Sequence, residues 1–272
     1  MRNAPRGNVM GLRLVVPAAK VPPMTGFPLW KGVAARFLDL VYPSACGVCG
    51  DSLTHGRALC GDCDADLPRL EEPFCQSCGE MFQGKIDGPF SCPNCSDLTF
   101  AFEFARPAMP RDDRTLDLIH RLKYGREIHL AGELGKLAAD AFLDPRLAAA
   151  LDEAWPLVPV PLHRKRLRHR HFNQAEEISL ALAKHTGLPV LRALRRSRQT
   201  ETQTLLTRKQ RMANLRGAFE ITSAGLKRIT DAAAGAVIID DVLTTGSTVN
   251  ECAKTLRSAG FQRVFVVTVM RG

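Results

Sequence analysis

Eight of the nine cysteines stand in four Cys-x-x-Cys doublets, Cys46/Cys49, Cys60/Cys63, Cys75/Cys78 and Cys92/Cys95, and this spacing constrains the fold of the 272-residue chain more than any other feature. A Cys-x-x-Cys turn aims two thiolates at one tetrahedral ion, and two such turns close a four-sulfur site of the structural zinc type. Two zinc ions are the expected load. The short spacers favour sequential pairing, the first doublet with the second and the third with the fourth, although an interleaved pairing also satisfies the spacing. Gly47, Gly50, Gly61 and Gly79 sit inside or just after the turns, where left-handed backbone is common. A catalytic zinc keeps a water and usually an imidazole ligand. His55 is the only histidine nearby, so the module reads as scaffold or docking surface. Metal spacing rather than disulfide spacing points to a reducing compartment, the cytoplasm. Cys252 stands apart and reads as a small buried residue.

The remaining chain is long enough for one α/β domain. Its composition, 45% hydrophobic and 24% charged, is globular rather than disordered. No run of eighteen apolar residues occurs, so no membrane span is expected. Residues 1–28 are rich in Pro, Gly and small residues and read as a mobile tail. Arg13 interrupts their apolar stretch and no cleavage site follows, so they do not read as a signal peptide. Trp30, Val33, Phe37, Leu38 and Val41 recur at helical spacing, predicting a short helix that leads into the cysteine module, together residues 29–98. From 99 to 272 the pattern is that of a second domain. Phe100, Phe102 and Phe104 alternate like a strand, and two helical stretches cover 111–124 and 127–142. Strands follow at 157–160, 189–194, 236–239 and 264–269, with a helix over 173–186 stopped by Gly187 and another marked by Val249, Cys252, Ala253 and Leu256 and stopped by Gly260. Strand and helix in alternation imply a parallel sheet flanked by helices.

The most informative part of that domain is Val237-Ile238-Ile239-Asp240-Asp241-Val242-Leu243-Thr244-Thr245-Gly246-Ser247-Thr248. A buried strand runs into two carboxylates, and a hydroxyl-rich turn leads into the next helix. Amide N–H groups at a helix start, aided by the hydroxyls of Thr244, Thr245, Ser247 and Thr248, suit a phosphate monoester, and Gly246 lets backbone approach closely. Two acids beside a phosphate make sense when the ligand also presents hydroxyls and magnesium, as a phosphorylated ribose does. Open parallel sheets bind ligands beyond the carboxyl ends of their strands. The glycine-lysine signature of a P-loop is absent, which argues against an ATPase.

The net charge of +9 favours an anionic partner. Cations concentrate in 163–171, where Arg164 and Lys165 follow the strand at 157–160 and are candidates to meet a pyrophosphate. A polar, Thr-rich stretch at 200–205 reads as a flap that would keep water from a reactive centre.

The Asp240 stretch resembles the phosphoribosyl pyrophosphate signature of type I phosphoribosyltransferases. By that resemblance Asp240 and Asp241 hold the ribose hydroxyls, while Val242 and Thr244 to Thr248 form the 5'-phosphate loop. Taken in order, the cysteine module, Leu122-Lys123-Tyr124, the Val-Pro-Val-Pro segment with Phe172-Asn173-Gln174, the stretch 211–219 and the Asp240 motif resemble the ComF family over residues 36 to 272. The resemblance implies a double zinc ribbon before a phosphoribosyltransferase-like α/β domain, Zn2+ and Mg2+ as metals, and phosphoribosyl pyrophosphate or a related phosphosugar as ligand. It also implies a link to natural competence, with single-stranded DNA and a helicase as partners. One departure is His171, where the family pattern has Gly before Phe-Asn-Gln. Three functions fit: phosphoribosyl transfer to a nucleophile, non-catalytic handling of single-stranded DNA, and ligand sensing without turnover. The low aromatic content of 6% counts against the second, because single-strand binding normally uses exposed aromatics. Phe74, Phe82, Phe90 and Tyr124 are the candidates for such stacking.

Overall fold

A computed structural model of the chain describes residues 44–53, 57–82, 84, 86, 88–96, 98–198, 215–230 and 235–272. The expected tail and helix of residues 1–41, His55 and the expected flap at 200–205 lie outside the described residues.

In chain order, β1 (Ser44–Ala45) and β2 (Ser52–Leu53) pair antiparallel around the first doublet, and α1 (Gly61–Asp66) grows out of the second with the Cys60 sulfur accepting from the Cys63 amide. A single turn, α2 (Pro93–Ser96), ends the second cysteine unit. The α/β part then runs β3 (Ala105–Met109), α3 (Asp113–His120), a π-helical turn at Arg121–Gly125, α4 (Leu130–Ala139) and α5 (Ala148–Asp152). It continues with β4 (Leu157–Pro159), α6 (Arg164–Arg170), α7 (Gln174–Thr186), β5 (Leu194–Arg196), β6 (Phe219–Ile221), α8 (Ser223–Thr230), β7 (Gly235–Leu243), α9 (Ser247–Ala259) and β8 (Arg263–Arg271).

The central sheet has the order β3-β8-β7-β4 with every neighbouring pair parallel, as the strand and helix alternation requires. Side chains alternate across a strand, so the sheet serves two cores. Val237, Ile239, Phe265, Val267 and Val269 face one, with Leu134 and Leu137 of α4 and Ile178 and Leu182 of α7. Ala236, Ile238, Val264 and Val266 face the other, with Val249, Cys252, Ala253 and Leu256 of α9. Burial on both faces explains why these strands read as continuous apolar runs, and each large side chain so buried contributes roughly 1.5–3 kcal/mol.

The cysteine units join these cores rather than standing off them. Cys46, Leu59 and Leu67 pack in the first core, while Cys75, Cys78, Cys92 and Cys95 pack with Phe102 and Ala105 in the second.

Several local expectations are revised. The strand expected at 189–194 is only an isolated bridge of Val190 with Leu157, and β5 starts at Leu194 and pairs with β6 outside the central sheet. The aromatic triplet does not form a strand: Phe100 and Phe102 stack at 4.6 Å ahead of β3, which begins at Ala105. Such a triplet alternates whether its backbone is paired or bent. The cation run is a short helix, α6, because Arg, Lys and Leu are good helix formers. Finally, β7 does not stop at Ile239 but carries both acids inside it, with Asp240 opposite Thr268 and Val242 opposite Met270.

Candidate functional site

Each cysteine quartet converges. The sulfurs of Cys46, Cys49, Cys60 and Cys63 all lie within 4.8 Å of one another, and so do those of Cys75, Cys78, Cys92 and Cys95, which settles the pairing as sequential. Cys49 and Cys60 sulfurs are 3.8 Å apart and Cys78 and Cys92 sulfurs 3.7 Å. Four sulfurs about 2.3 Å from one tetrahedral zinc stand about 3.8 Å apart, whereas a disulfide requires about 2.05 Å. The residues therefore fit two structural zinc ions. Backbone N–H groups support the thiolate form: Cys60 donates to Cys46 Sγ at 3.4 Å, and Cys92 donates to Cys75 Sγ at 3.3 Å. All four ligands are sulfur in each quartet, so neither keeps an open position for chemistry.

The second candidate region lies at the carboxyl end of β7. Neighbours on a strand face opposite ways, so Asp240 and Asp241 have different surroundings. The Asp241 carboxylate accepts the Val242 amide at 2.7 Å, and its other oxygen is 2.8 Å from Lys123 Nζ. Asp240 accepts the Asp241 amide at 3.0 Å and faces Cys252 on α9. Desolvation first, and the negative charge of Asp241 second, raise the Asp240 carboxyl to about 7. The Cys252 thiol is pushed up as well, by burial and then by Asp240, and it is fully buried, as expected.

Two arginines balance the acids. Burial lowers Arg170, while Asp241 and Asp240 act in the opposite sense on it. Arg196, at the end of β5, is lowered by burial and by Arg166 and raised by Asp240. Lys123 projects from the π-helical turn, a local widening frequent at functional sites. Lys123, Arg170 and Arg196 were not singled out as site residues by the sequence, because only the tertiary fold brings them to β7. Lys123 is visible in the sequence in the Leu122-Lys123-Tyr124 string and Arg170 in the cation run 163–171.

Beyond Leu243 the chain turns through Thr244, Thr245 and Gly246 into α9. Gly246 has φ +75° and caps the helix. A Cβ there would meet nothing closer than 3.6 Å, so the glycine is required by conformation, not by space. The Thr245 and Ser247 hydroxyls are 2.9 Å apart. Thr244 is exposed, Thr245 and Thr248 are half-buried, and Ser247 is buried. The acids and this hydroxyl-lined turn thus share one end of the sheet.

Arg164 and Lys165 occupy the exposed first turn of α6, capped by His163, whose Nδ1 accepts the Lys165 amide. Arg164 lines a cleft of about 490 Å³ with Arg192, Arg195 and Arg196. Among the α6 cations, Arg170 is buried and feels the charges of Asp241 and Asp240. His171 takes φ +70°, so the position that departs from the family glycine does use left-handed backbone.

The fold and these two regions define a class: a double zinc ribbon packed into a parallel α/β domain whose central strand ends in paired acids and a helix-capping turn. A family profile for the double zinc ribbon domain matches residues 37–97. The chain is 30% identical to the DNA utilization protein YhgH of Escherichia coli K12 over 235 residues, 86% of this chain and 93% of that protein. It is 28% identical to Competence protein F of Haemophilus influenzae, covering 77% and 89%, and 26% identical to Competence protein ComFC of Streptococcus pneumoniae, covering 78% and 87%. The chain belongs to the ComF family of these relatives. Among the described residues no helix is long and apolar enough to cross a membrane.

Proposed function

We propose that this chain binds phosphoribosyl pyrophosphate with Mg2+ at the carboxyl end of β7 and serves the handling of incoming DNA in natural competence. The observation that carries the first half is the sharing of one sheet end by Asp240, Asp241 and the turn at Thr244 to Ser247. A phosphoribosyl group has matching halves: vicinal hydroxyls suit carboxylates, and a 5'-phosphate suits the amides and hydroxyls of a helix start. Lys123 already neutralises Asp241, so the acids fit a hydroxyl ligand better than a self-contained metal cage. Bound Mg2+ supplies charge neutralisation to the pyrophosphate oxygens and keeps part of its water shell. The chain's own share is positioning and electrostatics: Asp240 and Asp241 orient the ribose, and Arg170, with Arg164 and Lys165, faces the leaving pyrophosphate as a nucleophile takes C1.

Calorimetric titration with Mg2+ and phosphoribosyl pyrophosphate tests this reading. Wild type is expected to bind, and Asp241→Ala to bind at least tenfold more weakly. Absence of heat from both proteins would end the reading. Release of pyrophosphate with candidate acceptors then separates turnover from sensing.

The DNA half is supported by the relatives' names, which speak of DNA utilization and competence, and by the seven-residue helix α6, whose sequence is RKRLRHR. Direct contact with single-stranded DNA predicts affinity that falls steeply with salt, because phosphate contacts release counterions. A flat salt dependence removes direct DNA contact and leaves a role through partners.

A further inference from the structure

Arg271, the last residue of β8, is buried, so its charge serves the interior rather than solubility. Its Nη1 lies 2.6 Å from Leu243 O, 2.8 Å from Thr244 O and 2.6 Å from Gly272 O, so these three acceptors share its N–H groups. Its Nη2 lies 2.6 Å from Glu80 Oε2. Leu243 and Thr244 are the residues where β7 hands over to the capping turn. Glu80 belongs to the second cysteine unit: its carbonyl accepts the Cys75 amide at 2.8 Å, and its own amide donates to the Cys78 sulfur. One guanidinium therefore spans the zinc unit and the turn.

The zinc unit is a firm anchor for that span. Ser77 O accepts the Ala105 amide of β3 at 3.0 Å. Arg146 donates to Gln76 O at 3.0 Å and to Gln76 Oε1 at 2.9 Å. Gly79 lies so close to Pro107 of β3 that a Cβ would come within 2.4 Å. The Leu243 carbonyl also accepts the Gly272 amide at 2.8 Å, whereas the Thr244 carbonyl lies past the last ladder pair, Leu243 with Arg271, and where it points sets where the next amides point. A planar fork meets the carbonyls with one nitrogen and the Glu80 carboxylate with the other; an ammonium group has one nitrogen for both tasks.

We propose that Arg271 is a positioning residue for the turn at Thr244 to Thr248, clasped to the second zinc unit through Glu80, so that the zinc unit sets the geometry of the phosphate-binding end of the site. The functional weight of this clasp rests on the phosphosugar reading above, but its first test does not.

That test is hydrogen–deuterium exchange of the full-length, ligand-free protein for wild type, Glu80→Gln and Arg271→Lys. Glu80 is partly exposed, so Glu80→Gln retains the fold even if an Arg271 variant were damaged. The amides of 244–248 are expected to exchange about threefold faster in Glu80→Gln and about tenfold faster in Arg271→Lys. Exchange in β7 before Asp240 is expected to stay at the wild-type rate, and zinc content at two ions per chain. Wild-type exchange at 244–248 in both variants overturns the clasp, as does faster exchange spread evenly through β7 and β8, which would mark Arg271 as a general stabiliser. In a second arm, affinity for Mg2+ with phosphoribosyl pyrophosphate is expected to fall by similar factors. If wild type binds none of this probe while 244–248 loosen as predicted, the clasp stands and the phosphosugar reading falls.

Discussion

At the residue scale, two side chains carry costs that function must justify. His171 ends α6 in left-handed backbone, its amide donating to Leu167 O at 2.7 Å, and its imidazole is exposed. A non-glycine residue there costs roughly 1–2 kcal/mol, partly offset because glycine loses more backbone entropy on folding. His171→Gly is accordingly expected to stabilise the protein by about 0.5–1 kcal/mol, read as a rise in the denaturant midpoint; a fall would mean that the imidazole makes a contribution the geometry does not show. Asp240 carries the second cost. Its carboxyl is raised to about 7 from an ordinary 3.8, so between those values the folded state binds more protons than the unfolded state. Stability from this group is then lost as pH rises from about 4 to 7 and is level above. Asp240→Asn is expected to raise the melting temperature at pH 8, with the gain shrinking towards pH 4. Asp240 is half-buried and offset by Lys123 and Arg196, so the relief is on the order of 1 kcal/mol, the low end for a desolvated polar group. A gain that grows on acidification would contradict the assignment.

At the element scale, the strand, turn and helix from β7 to α9 form the unit on which binding depends. Gly246→Ala places a Cβ on left-handed backbone without a clash. It is expected to cost roughly 1–2 kcal/mol and to weaken phosphosugar binding more than its effect on stability predicts, since the turn must rearrange at the phosphate; equal binding by Gly246→Ala and wild type would separate the turn from the ligand. Much of this unit was legible in the residues alone. Doubly buried strands read as apolar runs, and the stop glycines Gly187 and Gly260 both occupy left-handed caps. What escaped has physical reasons. Carboxylates interrupt an apolar run, so β7 seemed to end where its ladder with β8 in fact continues through Asp240 to Leu243. The π-helical turn bearing Lys123 has no periodic signature. The pairing of Lys123 with Asp241 joins residues far apart in sequence, and only the fold brings the turn at Arg121–Gly125 to the end of β7.

At the scale of the whole molecule, the cysteines were the clearest guide to the ribbon and the poorest guide to its placement. Spacing called for two four-sulfur sites and left their pairing open, and nothing in it reveals that Cys75, Cys78, Cys92 and Cys95 share a core with Val264 and Val266 of β8. Because of that shared core, zinc removal is expected to lower the stability of the α/β domain and not only of the ribbon, since metal-binding energy is folding energy in such sites. Thermal unfolding after chelation should show the sheet transition shifted down by several degrees; a sheet transition at its original temperature would make the ribbon an independent unit. The Arg271 clasp extends the same logic from stability to the site.

The central claim is that the acids of β7 and the turn before α9 grip the two ends of one ligand, and amide chemical shifts report it most directly. Adding Mg2+ and phosphoribosyl pyrophosphate to isotope-labelled protein is expected to move the amides of Asp240 to Val242 and of Thr245 to Thr248 together, along one saturation curve with one dissociation constant. Movement of either group alone, or of neither at saturating ligand, would contradict it.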